Sequence, residues 1–161
     1  MKKIIIFIKL ILEAYKQAME RKEIVDIRKK MSMKRDHLRS KRDFIIKLTC
    51  ECAGIDYYEF MDNKARQYRK YVYPRYVCMT IMHYALMYSQ EETEQYFEKG
   101  HPAVIYGKNK MKDLFKYDPE LRDDYEPVLR YANKLNPLLF KTLEVSKFYP
   151  EEDEKESIHT N

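Results

Sequence analysis

The residues of this chain with chemistry to offer are four histidines, three cysteines and a dense set of cations, and their spacing excludes more than it permits. His37, His83, His101 and His159 show no H-E-x-x-H or comparable ligand spacing, so each reads as a surface or packing histidine except His101. Cys50, Cys52 and Cys78 are odd in number, lack a C-x-x-C pair and sit among apolar residues, where a reduced cysteine behaves as a small hydrophobe. They point to a reducing cytoplasm without disulfides. No serine lies in a nucleophile elbow, and no G-x-x-x-x-G-K-[ST] occurs. With only Gly54, Gly100 and Gly107, no glycine-rich loop can cradle a phosphate. The expectation is a protein with no catalytic site, no cofactor and no metal.

What remains is charge. Residues 1–49 carry 15 Lys/Arg against 6 Asp/Glu, residues 50–112 carry 9 against 8, and residues 113–161 carry 7 against 12. A cationic amino-terminal end favours a polyanion such as nucleic acid or an anionic membrane surface; the competing reading is a solvated charged helix. The opening Met1-Lys2-Lys3 and the apolar run Ile4 to Leu12 imitate a secretory signal. Lys9 interrupts that run, Glu13-Ala14-Tyr15-Lys16 stands where a cleavage site belongs, and the stretch falls far short of the roughly 20 residues that span a bilayer.

The elements that position these groups are helices. Three glycines and no Asn-Gly or Asp-Gly pair leave little material for hairpins. Ile4, Ile5, Ile8, Ile11, Leu12, Tyr15 and Met19 recur at helical spacing with Lys9, Glu13, Lys16 and Glu20 opposite them, an amphipathic helix running on through Ile27. Such a stripe belongs to a core or a partner helix, with membrane-surface docking as the lesser alternative. Arg28 to Arg42 is dense in cations with few apolar anchors and reads as a mobile or solvated basic connector. A second stripe, Leu38, Phe44, Ile45, Leu48 and Cys52, ends at Gly54. Asp56 can cap a short helix over Tyr57 to Met61, and a basic stretch from Asn63 to Lys70 precedes a buried helix opened by Pro74 and reaching Tyr88. Ser89-Gln90-Glu91-Glu92 has the form of a capping box, so a short helix starts at Gln90 and is closed by Lys99-Gly100. Pro102 opens the next helix; Asp118-Pro119 and Asn136-Pro137 open two more.

Two helices joined by a short glycine-containing turn, the second exposing small and polar groups at its amino end, follow the helix-turn-helix plan, and residues 90–116 fit it. Val104 and Met111 face inward, Gly107 permits close approach of a neighbouring helix, and His101, Ala103, Tyr106, Asn109 and Lys110 face outward.

From Arg66 to Leu114, and above all in Tyr73-Pro74-Arg75-Tyr76-Val77-Cys78-Met79, Ser89, Tyr96-Phe97, Gly100-His101, Val104 and Lys110-Met111, the chain resembles the C-terminal duplex-binding domain of the bacterial replication initiator DnaA. The similarity continues more weakly back to Phe44 and covers about half the chain. It implies that Lys99 and His101 lie at the amino end of a reading helix, at base edges and phosphates. It also implies that Arg66 and Arg69, with Lys70 beside them, belong to a basic loop laid into the neighbouring minor groove. Helix amino ends attract phosphate and arginine suits narrow minor grooves, so both roles are chemically coherent. The sequence departs from the family where an acidic residue precedes the histidine and two threonines follow it: here stand Gly100, Pro102 and Ala103. Those changes put recognition of the initiator's nine-base box in doubt.

The resulting expectation is an all-α chain: a helix-turn-helix domain over 36–146, an N-terminal amphipathic helix and basic connector over 1–35, and an acidic disordered tail over 147–161. Its expected partner is double-stranded DNA, in an accessory or regulatory role in replication or transcription on a phage or mobile element. The N-terminal stripe offers a surface for self-association or a partner helix without membrane insertion. Two alternatives stay open. One is a structural or interaction protein using the domain as scaffold; the other is single-strand binding through stacked rings in Tyr68-Arg69-Lys70-Tyr71-Val72-Tyr73.

Overall fold

The computed structural model describes residues 2–149, with the side-chain surroundings of residues 2–11 and Tyr15 outside the described set. Among the described residues every regular element is helical and there is no strand. The first element, α1, spans Lys2–Ala53. Gly54, left-handed at φ 64°, ends it as the sequence predicts. The mobile or solvated connector expected at residues 28–42 is therefore a largely solvated helix. No glycine or proline precedes Gly54, and Lys, Arg, Met and Leu are good helix formers; missing apolar anchors leave a helix solvated but do not break it.

The chain divides into two compact units, Met1–Ser40 and Lys41–Asn161. In the first, every described side chain is exposed except the half-buried Leu38, and Leu12, Met19, Ile24, Val25, Ile27, Met31 and Met33 are apolar groups in solvent. The apolar stripe expected from Ile4 to Ile11, with Tyr15, lies outside the described side chains.

The second unit comprises the end of α1, then α2 (Tyr57–Asn63), α3 (Arg69–Tyr84), α4 (Gln90–Phe97), α5 (His101–Tyr117), α6 (Pro119–Asp124), α7 (Glu126–Leu135), α8 (Leu139–Thr142) and a 3-10 turn at Ser146–Phe148. Its centre is α3, whose run Val77 to Met82 is buried on all sides. Around it close Ile45, Ile46 and Cys50 from α1, Phe60 from α2, Phe97 from α4, Val104, Met111 and Phe115 from α5, and Val128, Leu129 and Ala132 from α7. Each such large side chain contributes about 1.5–3 kcal/mol on leaving water. Thr49 and Thr80 enter this core because each hydroxyl donates to the carbonyl four residues back, at 2.7 and 2.8 Å.

Several starts match their sequence signals. Asp56 accepts from the Glu59 N–H at 2.9 Å, and Asp118 from that of Leu121 at 3.1 Å. Others differ. Pro74 lies inside α3, not at its start, because the helix begins five residues earlier at Arg69. One glutamate secures that early first turn: Glu59 pairs with Lys70 and accepts from the Tyr71 hydroxyl at 2.7 Å. Glu126-Pro127 starts a helix of its own, α7, after a break at Tyr125. The helix expected from Asn136-Pro137 begins at Leu139 as α8: Asn136 Oδ1 accepts from the Leu138 N–H at 3.2 Å in the turn before it, and the Asn136 amide donates to the Tyr84 carbonyl at 2.8 Å. Of the expected acidic tail, residues 150–161 lie outside the described residues, while Tyr149 is buried and stacks on Phe140 at 4.7 Å.

Candidate nucleic-acid interface

Capping builds the α4–α5 pair. Ser89 Oγ accepts from the Glu92 N–H at 3.1 Å, and the Glu92 carboxylate accepts from the Ser89 N–H at 2.7 Å, the reciprocal box its spacing predicts. The turn differs from expectation. Its left-handed residue is Glu98 at φ 52°, while Gly100 is extended at φ −71°, ψ 159° and serves as the N-cap of α5 without a side chain to offer. A non-glycine residue therefore carries the strain of the turn.

α5 presents two faces. Val104, Gly107, Lys108, Met111 and Phe115 are buried, and a Cβ built on Gly107 would lie 2.5 Å from Tyr76 Cδ1, so this glycine is what lets α3 and α5 close. His101, Pro102, Ala103, Ile105, Tyr106, Asn109 and Lys110 are exposed. Tyr106 meets the Tyr76 ring edge-on at 6.1 Å. The buried Lys108 carries no carboxylate partner among the described residues; its ammonium donates to Gln90 Oε1 at 2.6 Å, and desolvation depresses its pKa, opposed by the charge of Glu94.

The basic stretch before α3 is held from beneath. Arg75, 1% exposed, donates through Nη1 to the carbonyls of Lys64 at 3.0 Å and Arg66 at 2.7 Å. Its Nε has no partner among the described residues. Arg75 thus spends its hydrogen bonds on the backbone of residues 64–66, while the Arg66 and Arg69 side chains stay exposed and without an ion pair among the described residues. Lys99 is half-buried, and desolvation followed by the charge of Arg75 lowers its pKa. Two expected loop residues are placed otherwise: Arg69 and Lys70 form the first turn of α3, and Lys70 is engaged with Glu59.

His101, the first residue of α5, points its Nδ1 at Glu94 Oε1, 2.5 Å away on α4. Glu94 is one of four acids at Glu91, Glu92, Glu94 and Glu98, and α4 contains no cation. Phosphate contact from this helix is accordingly unfavourable, and cationic groups lie instead at Arg66, Arg69, Lys99 and Lys110.

No family model, no curated protein and no solved structure matches this chain.

Sequence reasoning missed Arg75, Glu94 and Lys108. Tyr73-Pro74-Arg75 stands within the resembling run, but a buried guanidinium facing carbonyls leaves no local pattern, and Glu94 meets His101 only across the turn. The thiols offer little nucleophilicity: burial raises the Cys50 pKa to about 12 and pushes Cys78 up further, with Cys52 raised for the same cause. Among the described residues no group of three His, Cys, Asp or Glu is placed to hold a metal ion, and no helix is long and apolar enough to cross a membrane.

Proposed function

We propose that this chain binds duplex DNA without catalysis, setting the amino-terminal half of α5 in the major groove with the basic residues at Arg66 and Arg69 on the adjacent backbone or minor groove. The observation that carries this reading is the outward row His101, Ala103, Tyr106, Asn109 and Lys110 on a helix whose opposite face is packed against α3. A second helix of this kind, joined to α4 by a three-residue turn, is the arrangement by which helix-turn-helix proteins reach base edges. The Arg75 clamp adds preorganisation, since residues 64–66 need not be ordered on binding. The DnaA resemblance supports an accessory or regulatory role in replication or transcription, with a phage or mobile element as the setting and the cytoplasm as the compartment.

The test is selection of the purified full chain on a random duplex pool, followed by titration of the enriched duplex and of its separated strands. Enrichment with a preference for duplex is the expected result. Failure to retain any duplex at low salt would remove the proposal.

Two rivals each have an observation behind them. The exposed apolar residues between Leu12 and Met33 favour an interaction protein, in which that segment packs on itself or on another helix. Deleting residues 1–30 is then expected to change sedimentation or solubility, and strong flotation with neutral liposomes would count against a helical partner. Tyr68 and Tyr73, 59% and 41% exposed, favour stacking on unpaired bases, and a preference for the separated strands would decide for it.

A further inference from the structure

Resting on the duplex-DNA reading above, we propose that Glu94 determines what His101 offers to a base. It holds the imidazole with its hydrogen on Nδ1, so the neutral ring presents Nε2 as a bare acceptor, matched to the exocyclic amino group of adenine or cytosine.

An ionised carboxylate can only accept, so at 2.5 Å the hydrogen between Nδ1 and Glu94 Oε1 belongs to the ring. Neutral imidazole has one N–H, and Nε2 is left with a lone pair. Glu94 is itself well placed to impose this. Its side chain is only 23% exposed, against 63% for His101, and its backbone carbonyl accepts from the Lys99 N–H at 3.1 Å. The turn that brings His101 over Glu94 is thus anchored on Glu94. Of the pair, the ring is the group more open to solvent, where a base edge would arrive.

The consequence for recognition follows from the groove. Adenine N6 and cytosine N4 are major-groove donors, whereas guanine N7 and O6 and thymine O4 are acceptors. A bare Nε2 pairs with the first group and faces a lone pair in the second. Gly100, Pro102 and Ala103 supply no side-chain hydrogen bond, so this single nitrogen carries a large share of any direct readout at the amino end of α5. Glu94 is a positioning residue; His101 is the group that touches the base.

Two measurements on the full chain test the assignment at mildly alkaline pH, where ordinary histidines are neutral. Long-range proton–nitrogen correlation spectra report the tautomer, with the His101 signals identified by their loss in His101→Ala. The expected result is hydrogen on Nδ1, and a changed pattern in both Glu94→Gln, whose amide can donate as well as accept, and Glu94→Ala. A wild-type ring protonated on Nε2, or a pattern that neither substitution alters, overturns the proposal. Duplex selection should show an adenine or cytosine preference at one position that falls by about tenfold in Glu94→Gln, with an unchanged melting curve. A retained duplex with an unmoved profile overturns the role of Glu94 alone. A chain that retains no duplex overturns the DNA reading and its recognition role together, while the tautomer spectra still report whether Glu94 locks the ring.

Discussion

Gly107 and Tyr76 are in contact so close that a methyl group on Gly107 would stand 2.5 Å from the ring carbon Cδ1 of Tyr76 and 2.7 Å from Cε1. In a helix interior alanine is normally favoured over glycine by about 1 kcal/mol. Here the ring must move first, and Tyr76 also packs on Tyr106. Overpacking of this kind costs about 1–3 kcal/mol, so Gly107→Ala is expected to lower stability despite the better helix former. In denaturant melts the loss should largely vanish when Tyr76→Ala is added. Equal losses in both backgrounds would place the strain elsewhere.

The turn between α4 and α5 contains a left-handed glutamate next to an extended glycine. Glu98→Gly should raise stability by about 1 kcal/mol, the cost of the left-handed region for an L side chain. Gly100→Ser should add roughly a few tenths of a kcal/mol by giving α5 the capping oxygen it lacks, since only Pro102 Cδ at 3.9 Å lies near its added Cβ. A thermal melt that falls for either substitution would overturn the role assigned to that position.

Outward placement makes His101 and Lys110 separable from the fold. His101→Ala and Lys110→Ala are each expected to weaken duplex binding, with a lost base contact typically worth about 1–3 kcal/mol, while the circular-dichroism melt barely moves. Unchanged affinity in both variants would sink the groove assignment.

Selectivity should be shallow. With Gly100, Pro102 and Ala103 at the amino end of α5, affinity should rest mainly on phosphate contacts from Arg66, Arg69, Lys99 and the basic N-terminal region, Lys70 being engaged with Glu59. Each phosphate neutralised contributes about −0.9 to the slope of log affinity against log salt. The initiator's nine-base box should beat scrambled duplex by clearly less than the roughly thousand-fold typical of specific binders. Titrations at several salt concentrations measure both quantities, and a thousand-fold preference surviving high salt would refute the reading.

His83 is a group near neutrality with a pH signature in the fold. Its Nδ1 faces the Tyr88 carbonyl at 3.0 Å, and desolvation, with the charge of Lys108, holds its pKa below the ordinary histidine value, the Tyr88 bond opposing. The folded state therefore takes this proton less readily than the unfolded chain. Its stabilising contribution is full above the unfolded value of about 6.5 and drains away as pH falls toward the lowered native value. Urea melts across that window should show a shallower pH slope for His83→Gln than for wild type; parallel slopes would argue that another group is responsible.

The sequence by itself determined what depends on neighbours along the chain. Asp56, the Ser89–Glu92 box and Asp118 are capping signals that act within three residues, so three helix starts could be read before any packing was known. The inner and outer faces of α5 follow from a fixed helical period, which is why Val104 and Met111 against His101 and Lys110 were legible. Two local signals mislead on their own: cation density without apolar anchors does not interrupt α1, and Pro74 lies within α3, which starts at Arg69. What only the tertiary structure decided are meetings whose partners lie far apart along the chain or across a turn. Arg75 reaches back 9 and 11 residues to two carbonyls, Lys70 finds Glu59 on another helix, and Glu94 finds His101 across a turn whose left-handed residue is Glu98. Such contacts depend on the angle and separation of helices, which the packing of Gly107 against Tyr76 and the burial around α3 set together, and no residue period encodes them.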